Sequence, residues 1–239
     1  ERAIELNGTA VQANLKAFAA GRLASVRHTP SAEPPLTLEG FIERRTLDLR
    51  NYWNESYASR YGELTSAARR ASASIVGGET FVWAVARGAY KLMAYKDEYE
   101  VARLYSDGRF RSALAHEFDD VRTLKFHLAP PLLSRMDPRT GRPRKIAVGS
   151  WILPVFGVLS RLKMLRETML DPFGWTAERK LERALRDAYL SSMHRHCESL
   201  RAENLAAATT LALAPLDVRG FGPVKHPAAE ALLRRLIET

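Results

Sequence analysis

The stretch "AYKDEYEVARLY", residues 94–105, carries the pattern that decides the fold of this 239-residue chain. Three tyrosines alternate with five charged residues in these twelve positions. The apolar spacing continues one that begins near Thr80, so we predict one helix from Thr80 to Ser106, ended by "DG" at 107–108. Tyrosine suits a half-buried helical face, because its ring packs while its hydroxyl finds a partner. We therefore interpret the tyrosines as packing residues. The predicted inner face comprises Val85, Ala89, Leu92, Tyr95 (or Lys96), Tyr99 and Ala102.

Helical periodicity also dominates the rest of the chain. Residues 37–74 read as one long helix, or as two with a break near Asn51. Alternating apolar and polar residues predict a strand at 123–128. Two runs at 132–136 and 144–148 flank a turn-rich segment and predict a hairpin. The predicted fold class is mainly α, a multi-helix domain with a small β-hairpin or short strands around residues 123–148. Residues 3–6 are predicted to end a strand, and further helices are predicted at 9–21, 150–166, 177–197, from near Ser199 to before Pro215, and at 228–238.

Composition narrows the class of protein. No apolar run approaches the ~20 residues that a membrane span needs. The single cysteine, Cys197, allows no internal disulfide and favours a reducing compartment. One cysteine is also too few for an iron–sulfur cluster held by this chain alone, because such clusters usually take four thiolates. The chain begins at Glu1 without an initiator methionine, which we interpret as a piece of a longer polypeptide.

Positive charge is concentrated in one segment. The net charge is +9, and residues 122–166 hold ten lysines and arginines but only one acid, Asp137. Such a segment predicts an anionic neighbour, whether an acidic protein, a phosphate-bearing ligand or nucleic acid, although a solvated basic loop is the alternative. The candidate binding residues lie in the predicted hairpin: Arg135, Arg139, Arg142, Arg144 and Lys145.

The sequence shows no motif for a catalytic or metal site. His194, His196 and Cys197 are close along the chain, but on a helix His196 faces away from the other two, and zinc needs about four ligands. His127 lies in the predicted strand, where a structural histidine is the commoner outcome. Neither a glycine-rich phosphate loop nor a nucleophile elbow is present. We therefore predict no catalytic residue and no metal ligand in this chain.

Five motifs in order carry a resemblance to a known family. The chain resembles the C-terminal end of the indolepyruvate ferredoxin oxidoreductase family. The resemblance divides the chain into residues 1–22, similar to the last strand and helix of a γ-type oxidoreductase domain, a linker at 23–36, and a helical C-terminal domain at 37–239. Pro223 stands where family members commonly carry histidine, which argues against a proton-transfer role for that loop here. The motifs are "AIELNGTAVQANLKAFAAGR" (3–22), "KLMAYKDEYEVARLYSDGRF" (91–110), "FHLAPPLLSRMDPRTGRPRK" (126–145), "LDPFGWTAERKLER" (170–183) and "VRGFGPVK" (218–225).

This resemblance implies a function for the longer polypeptide. Such enzymes oxidatively decarboxylate an aryl 2-oxoacid on thiamine diphosphate, pass the acyl group to coenzyme A, and send electrons through iron–sulfur clusters to ferredoxin. The thiamine-binding region and the cluster cysteines are not in this chain. It would then be a non-catalytic support and docking region. Implied partners are the remaining domains or subunits of the enzyme, ferredoxin, and further copies in a cytoplasmic homo-oligomer.

A function of another class stays open. A basic helical chain with a hairpin suits a free-standing nucleic-acid-binding or interaction module. Against this, the sequence has no helix-turn-helix or zinc-finger pattern, and residues 135–145 lack the aromatic side chains on which bases stack.

Reversing charge in the predicted hairpin tests its role as a dock. We expect Arg139→Glu with Arg142→Glu to slow ferredoxin reduction by the parent enzyme through the association rate, because steering depends on an exposed charged patch. The defect should shrink with salt, which screens charges beyond about 10 Å near 0.1 M. Turnover with an uncharged dye is the control. A normal rate at low salt contradicts the ferredoxin dock, and weaker coenzyme A binding would favour the coenzyme instead.

Overall fold

The computed structural model describes residues 1, 4–5, 8, 10–27, 36–119, 121, 123–128, 146–220 and 224–238. The chain forms two compact units, Glu1–Glu39 and Gly40–Thr239. Ten α-helices and one two-stranded antiparallel sheet lie in the described part, which confirms the mainly α prediction. The elements are α1 (Val11–Arg27), α2 (Leu38–Tyr52), α3 (Glu55–Ser72), α4 (Glu79–Met93), α5 (Glu98–Ser106), α6 (Arg109–Glu117), β1 (Lys125–Leu128), β2 (Ile146–Gly149), α7 (Ile152–Arg161), α8 (Ala177–Ser199), α9 (Leu205–Leu213) and α10 (His226–Glu238), with 3₁₀ turns at Leu162–Leu165 and Ala214–Asp217.

The smaller unit holds α1 and a short turn before it. Ile4 and Glu5 are helical, and their amides donate to the Glu1 carbonyl at 2.8 and 3.1 Å. The strand predicted at 3–6 is therefore wrong at these two residues, because the chain satisfies its backbone groups locally. Helix α1 runs past Gly21 to Arg27, beyond the predicted end. The linker predicted at 23–36 is wrong at its start, because residues 23–27 continue α1, and its residues 28–35 lie outside the described part of the chain.

Helix α4 is the centre of the larger unit. It packs against α3, α8 and α9, and its buried residues lie on most of its circumference. Gly88 explains how closely α9 approaches: a Cβ at this position would lie 2.3 Å from the Ala212 carbonyl oxygen and 2.3 Å from the Tyr189 hydroxyl. Glycine is a poor helix former, but because it has no side chain it allows the α9 backbone to lie close to α4 at this position. Across this contact the Tyr189 hydroxyl donates to the Ala212 carbonyl at 2.9 Å.

The quoted stretch 94–105 spans a break between two helices. A single helix over 80–106 is wrong, because α4 ends at Met93 and α5 begins at Glu98. Asp97 caps α5: its Oδ1 accepts from the Glu100 amide at 2.7 Å, which satisfies a donor that no preceding turn can bond. The predicted inner-face residues are nevertheless all buried, with Tyr95 rather than Lys96 on that face. The break predicted near Asn51 is confirmed, with Asn54 capping α3.

The sheet closes a second, smaller core. β1 pairs with β2 antiparallel, with Phe126 opposite Val148. The partner of the second strand is therefore 125–128; the strand proposed at 132–136 lies outside the described residues. Phe126, Phe156 and Ala102 are buried together here, and Tyr105 and Phe110 pack on them. No described helix combines the length and apolarity needed to cross a bilayer.

Two glycines in helix interiors allow a matched test of the close α4–α9 approach. Gly88→Ala should lower the free energy of unfolding by roughly 1–3 kcal/mol through overpacking, although alanine is the better helix former. Gly62→Ala in α3 is the control, because nothing lies within 4 Å of its Cβ position. It should raise stability by up to about 1 kcal/mol. Urea unfolding of both variants checks this, and equal shifts would contradict the packing role of Gly88.

Candidate functional site

A buried ion pair joins the start of α5 to the segment after α7. Asp97 and Arg166 are 4% and 2% exposed. The Arg166 Nε and Nη2 donate to the two Asp97 carboxylate oxygens at 2.6 and 2.8 Å. Its Nη1 donates to the Tyr52 carbonyl at the end of α2. One guanidinium therefore fixes three segments, and Asp97 serves both as helix cap and as counter-charge.

Aromatic rings enclose this pair. The Arg166 Cζ lies 3.9 Å from the ring centroid of Tyr52 and 5.4 Å from that of Tyr99. Burial by itself would lower the pKa of Arg166, but the hydrogen bonds and charge of Asp97 outweigh it and raise the pKa. Burial raises the pKa of Tyr52 well above its ordinary value, so its hydroxyl stays a neutral donor. That hydroxyl has no partner among the described residues, an arrangement that costs about 1–3 kcal/mol.

Tyr99 is a structural residue by its contacts. It is 2% exposed, and its hydroxyl donates to Asp171 Oδ1 at 3.1 Å. Asp171 in turn accepts from the amides of Phe173 and Glu167 at 3.1 and 3.2 Å, which shapes the loop after Arg166. Glu167 has a positive φ of 62°, so the chain turns sharply there and the helix predicted at 150–166 ends early, at Arg161. Tyr99 thus links α5 to this loop rather than to a reacting group.

A second arginine is buried on α8. Arg186 is 2% exposed and pairs with Glu167 and Asp187, the latter at 2.9 Å. Arg60 of α3 also reaches Asp187, at 3.1 Å. Burial opposes the charge of Arg186, yet its carboxylate partners raise its pKa. Two buried guanidiniums, Arg166 and Arg186, therefore flank Glu167 and hold the loop between α7 and α8.

Beside this network lies an open cleft of about 970 Å³. Its lining residues come from α2, α4, α5, α6 and α8, from the break between α4 and α5, and from the segment between α9 and α10. Ten lysines and arginines line it against four carboxylates. Most of the acids are already paired: Asp48 with Arg45 at 2.9 Å, and Glu100 with Arg103 at 2.7 Å. Glu182 is shared by two cations, Arg179 and Lys225. The lining thus has a positive excess, which attracts anions.

Besides Arg219, which donates to the Leu216 carbonyl at 3.3 Å, four cations of this cleft have no acidic partner among the described residues. They are Arg44 on α2, Arg87 and Lys91 on α4, and Lys96 in the break before α5, and all are exposed. In the parts of the chain that the structure covers, no carboxylate oxygen lies within 4.0 Å of their charged nitrogens. Sequence reasoning missed them, because acids elsewhere in the same segments balance the net charge. The i, i+4 spacing of Arg87 and Lys91 was the available signal.

The predicted binding residues are not part of this site as described. Arg135, Arg139, Arg142, Arg144 and Lys145 lie outside the described residues, as does Pro223. Two other cations of the basic segment are structural rather than free: Arg166 is the buried partner of Asp97, and Lys163 donates to the Asn51 carbonyl at 2.6 Å. Those two therefore cannot contribute to an anion-facing loop.

The histidine and cysteine cluster on α8 lines a separate surface cavity. His194 and Cys197 face it together, and His196 instead lies within 2.9 Å of the Ser192 carbonyl through Nδ1. Burial raises the pKa of the Cys197 thiol to about 11, so the reactive thiolate is scarce at neutral pH. Within the described ranges, no three potential ligands are grouped to hold a metal ion.

Removing the charge of Asp97 tests the buried pair. Asp97→Asn keeps a capping side chain but leaves Arg166 buried without a counter-charge, so the free energy of unfolding should fall by roughly 3–5 kcal/mol. Adding Arg166→Met should recover part of this loss, because the unpaired charge is then gone. Glu55→Gln, which breaks the exposed Arg50–Glu55 pair, is the control and should have no measurable effect in urea. Similar midpoints for Asp97→Asn and Glu55→Gln would contradict the role of the pair.

Comparison with known proteins identifies the family of this chain. No curated protein and no solved structure matches the chain significantly. One family model matches residues 38–238, and its description reads "Family of unknown function (DUF6537)". The match spans all helices from α2 to α10, including the buried pair and the cleft. The chain therefore belongs to the DUF6537 family, whose function is not known.

Proposed function

We propose that this chain is the non-catalytic C-terminal support and docking region of an indolepyruvate, or aryl pyruvate, ferredoxin oxidoreductase. The whole enzyme would use thiamine diphosphate, iron–sulfur clusters and coenzyme A, and pass electrons to ferredoxin. It would act in the cytoplasm as a homo-oligomer. In this proposal the present chain holds no cofactor and contacts the catalytic domains or subunits. The sequence motifs supply the enzyme class, and one feature of the fold supports the docking role.

That feature is helix α7, which is apolar on two faces. One face carries Phe156 and its neighbours into the small core with Phe126. The other face is exposed and carries large apolar side chains at helical spacing: Trp151, Val155, Val158 and, just after the helix, Leu162. A helix with apolar residues all round is normally buried. This exposed face therefore favours a covering partner.

The segment after α7 extends the exposed apolar surface along the chain. Met164, Met169, Leu170 and Trp175 are all exposed. Tryptophan and methionine are enriched in protein interfaces, and large exposed apolar patches commonly mark protein contacts. Nucleic acid binds by charge and by stacking on aromatic rings, whereas six of the eight exposed side chains on this surface are valine, leucine or methionine. We therefore favour protein neighbours, and in the proposed enzyme these are its catalytic domains.

The test uses the complete open reading frame that encodes this chain. Purified without oxygen, the protein should reduce a viologen dye in a reaction that needs indolepyruvate and coenzyme A. Val158→Glu places a charge on the exposed α7 face and should cost roughly 2 kcal/mol or more of association free energy. We expect at least a tenfold fall in turnover or the loss of co-purifying subunits.

Val76→Glu is the matched control, because Val76 is 97% exposed and lies in the turn before α4. It should leave turnover and assembly unchanged. Equal activity of the two variants would contradict docking through α7. The absence of any 2-oxoacid-dependent dye reduction by the complete protein, or a complete gene that begins near Glu1 with no thiamine-binding domain, would overturn the enzyme class itself.

A further inference from the structure

The four unpaired cations line the same cleft. Arg87 and Lys91 lie one turn apart on α4, where like charges at i and i+4 repel and weaken a helix. Arg44 lies on α2, which meets α4 through the contact of the Phe41 and Trp83 rings at 5.2 Å. Lys96 lies in the break between α4 and α5. The fold therefore brings together like charges from three segments, and nothing in the described part of the chain neutralises them.

The acceptors that would compete for a ligand are already occupied. Asp48 accepts from both Arg45 and the Tyr90 hydroxyl, at 2.9 and 3.2 Å. Glu100 binds Arg103 through both carboxylate oxygens. Two further donors on cleft-lining residues, the Arg45 Nε and the Tyr52 hydroxyl, are buried and have no acceptor among the described residues. Donors thus outnumber acceptors, which is the chemistry of an anion site.

The aromatic rings of the cleft narrow the kind of anion. Arg45 lies 4.4 Å from the Tyr90 ring centroid, and Arg179 lies 5.6 Å from that of Tyr95. A guanidinium therefore already covers a face of each ring. Single-stranded nucleic acid binds by stacking bases on open aromatic faces, and these rings do not offer such a platform. Recognition here would come from charge and hydrogen bonds.

The size and shape of the cleft favour a small molecule. Its volume of about 970 Å³ is at the upper end of the range usual for small-molecule sites, about 300–1,000 Å³. Arginine pairs two phosphate oxygens through its planar fork, and lysine adds a mobile point charge. We propose that this cleft binds a small anion carrying at least two phosphate groups, held chiefly by Arg44, Arg87, Lys91 and Lys96. This inference does not rest on the proposed oxidoreductase function.

Titration calorimetry of the full chain with inorganic pyrophosphate and tripolyphosphate tests the proposal. Both should bind at low salt, tripolyphosphate more tightly, and added salt should weaken both. Arg87→Gln with Lys91→Gln should weaken pyrophosphate binding at least tenfold, since each lost contact is a charge-assisted hydrogen bond. Lys180→Gln with Arg234→Gln removes the same charge from exposed helical positions outside the cleft and should leave binding within twofold.

Each outcome decides the question. If the first double variant does not fold, as judged by circular dichroism, Arg44→Gln with Lys96→Gln replaces it with the same expectation. Equal weakening by the cleft and control variants would show general charge attraction and overturn the site. No binding of either phosphate would also overturn it. If only a polyglutamate peptide or a thymidine oligonucleotide binds at the cleft, the small-phosphate proposal is wrong and a macromolecular anion takes its place.

Discussion

The buried pair of Asp97 and Arg166 is the contact on which the larger unit depends. It joins the end of α2, the start of α5 and the loop before α8, three segments far apart along the chain. A buried charge is stable only beside its counter-charge, so each residue requires the other. The rings of Tyr52 and Tyr99 exclude water from the pair and strengthen it by cation–π contact. The remaining loop contacts, through Asp171 and Arg186, build outward from this point.

Sequence periodicity predicted a helix well wherever its buried residues recur at regular helical spacing. The break near Asn51 and the inner face from Val85 to Ala102 both follow from local pattern. The break at 94–97 did not, because the helical spacing continues through it while Asp97 is recruited by a residue 69 positions away. The pairing of the second strand with residues 125–128 was not predicted for a similar reason. Pairing between 125–128 and 146–149 brings Phe126 into the small aromatic core, whose other members lie elsewhere along the chain.

The site was harder to predict than the fold. The concentration of positive charge predicted a binding segment at residues 122–166. Which cations are available to a ligand, however, depends on which of them already bond to carboxylates or carbonyl groups of the protein. Arg166 and Lys163 already bond to Asp97 and to the Asn51 carbonyl. In the described part of the chain no acidic partner lies beside four cations from nearly neutral segments: Arg44, Arg87, Lys91 and Lys96. Only the three-dimensional arrangement separates these two groups. The exposed apolar face of α7 was not predicted either, because the sequence pattern does not separate apolar residues that face the core from those that face outward.

The long separation between Arg166 and its partners has a consequence for synthesis. Arg166 lies 114 residues after Tyr52 and 69 after Asp97, so α2 to α5 leave the ribosome well before their closing residue. Until Arg166 has been synthesised, the carboxylate of Asp97 has no counter-charge and the ring of Tyr52 has no guanidinium to pack against. Contacts of such long range slow folding and favour a late, cooperative closure. The nascent chain would therefore expose its α2–α5 surface for several seconds at ordinary elongation rates of about 5–20 residues per second, an interval in which chaperones can bind it.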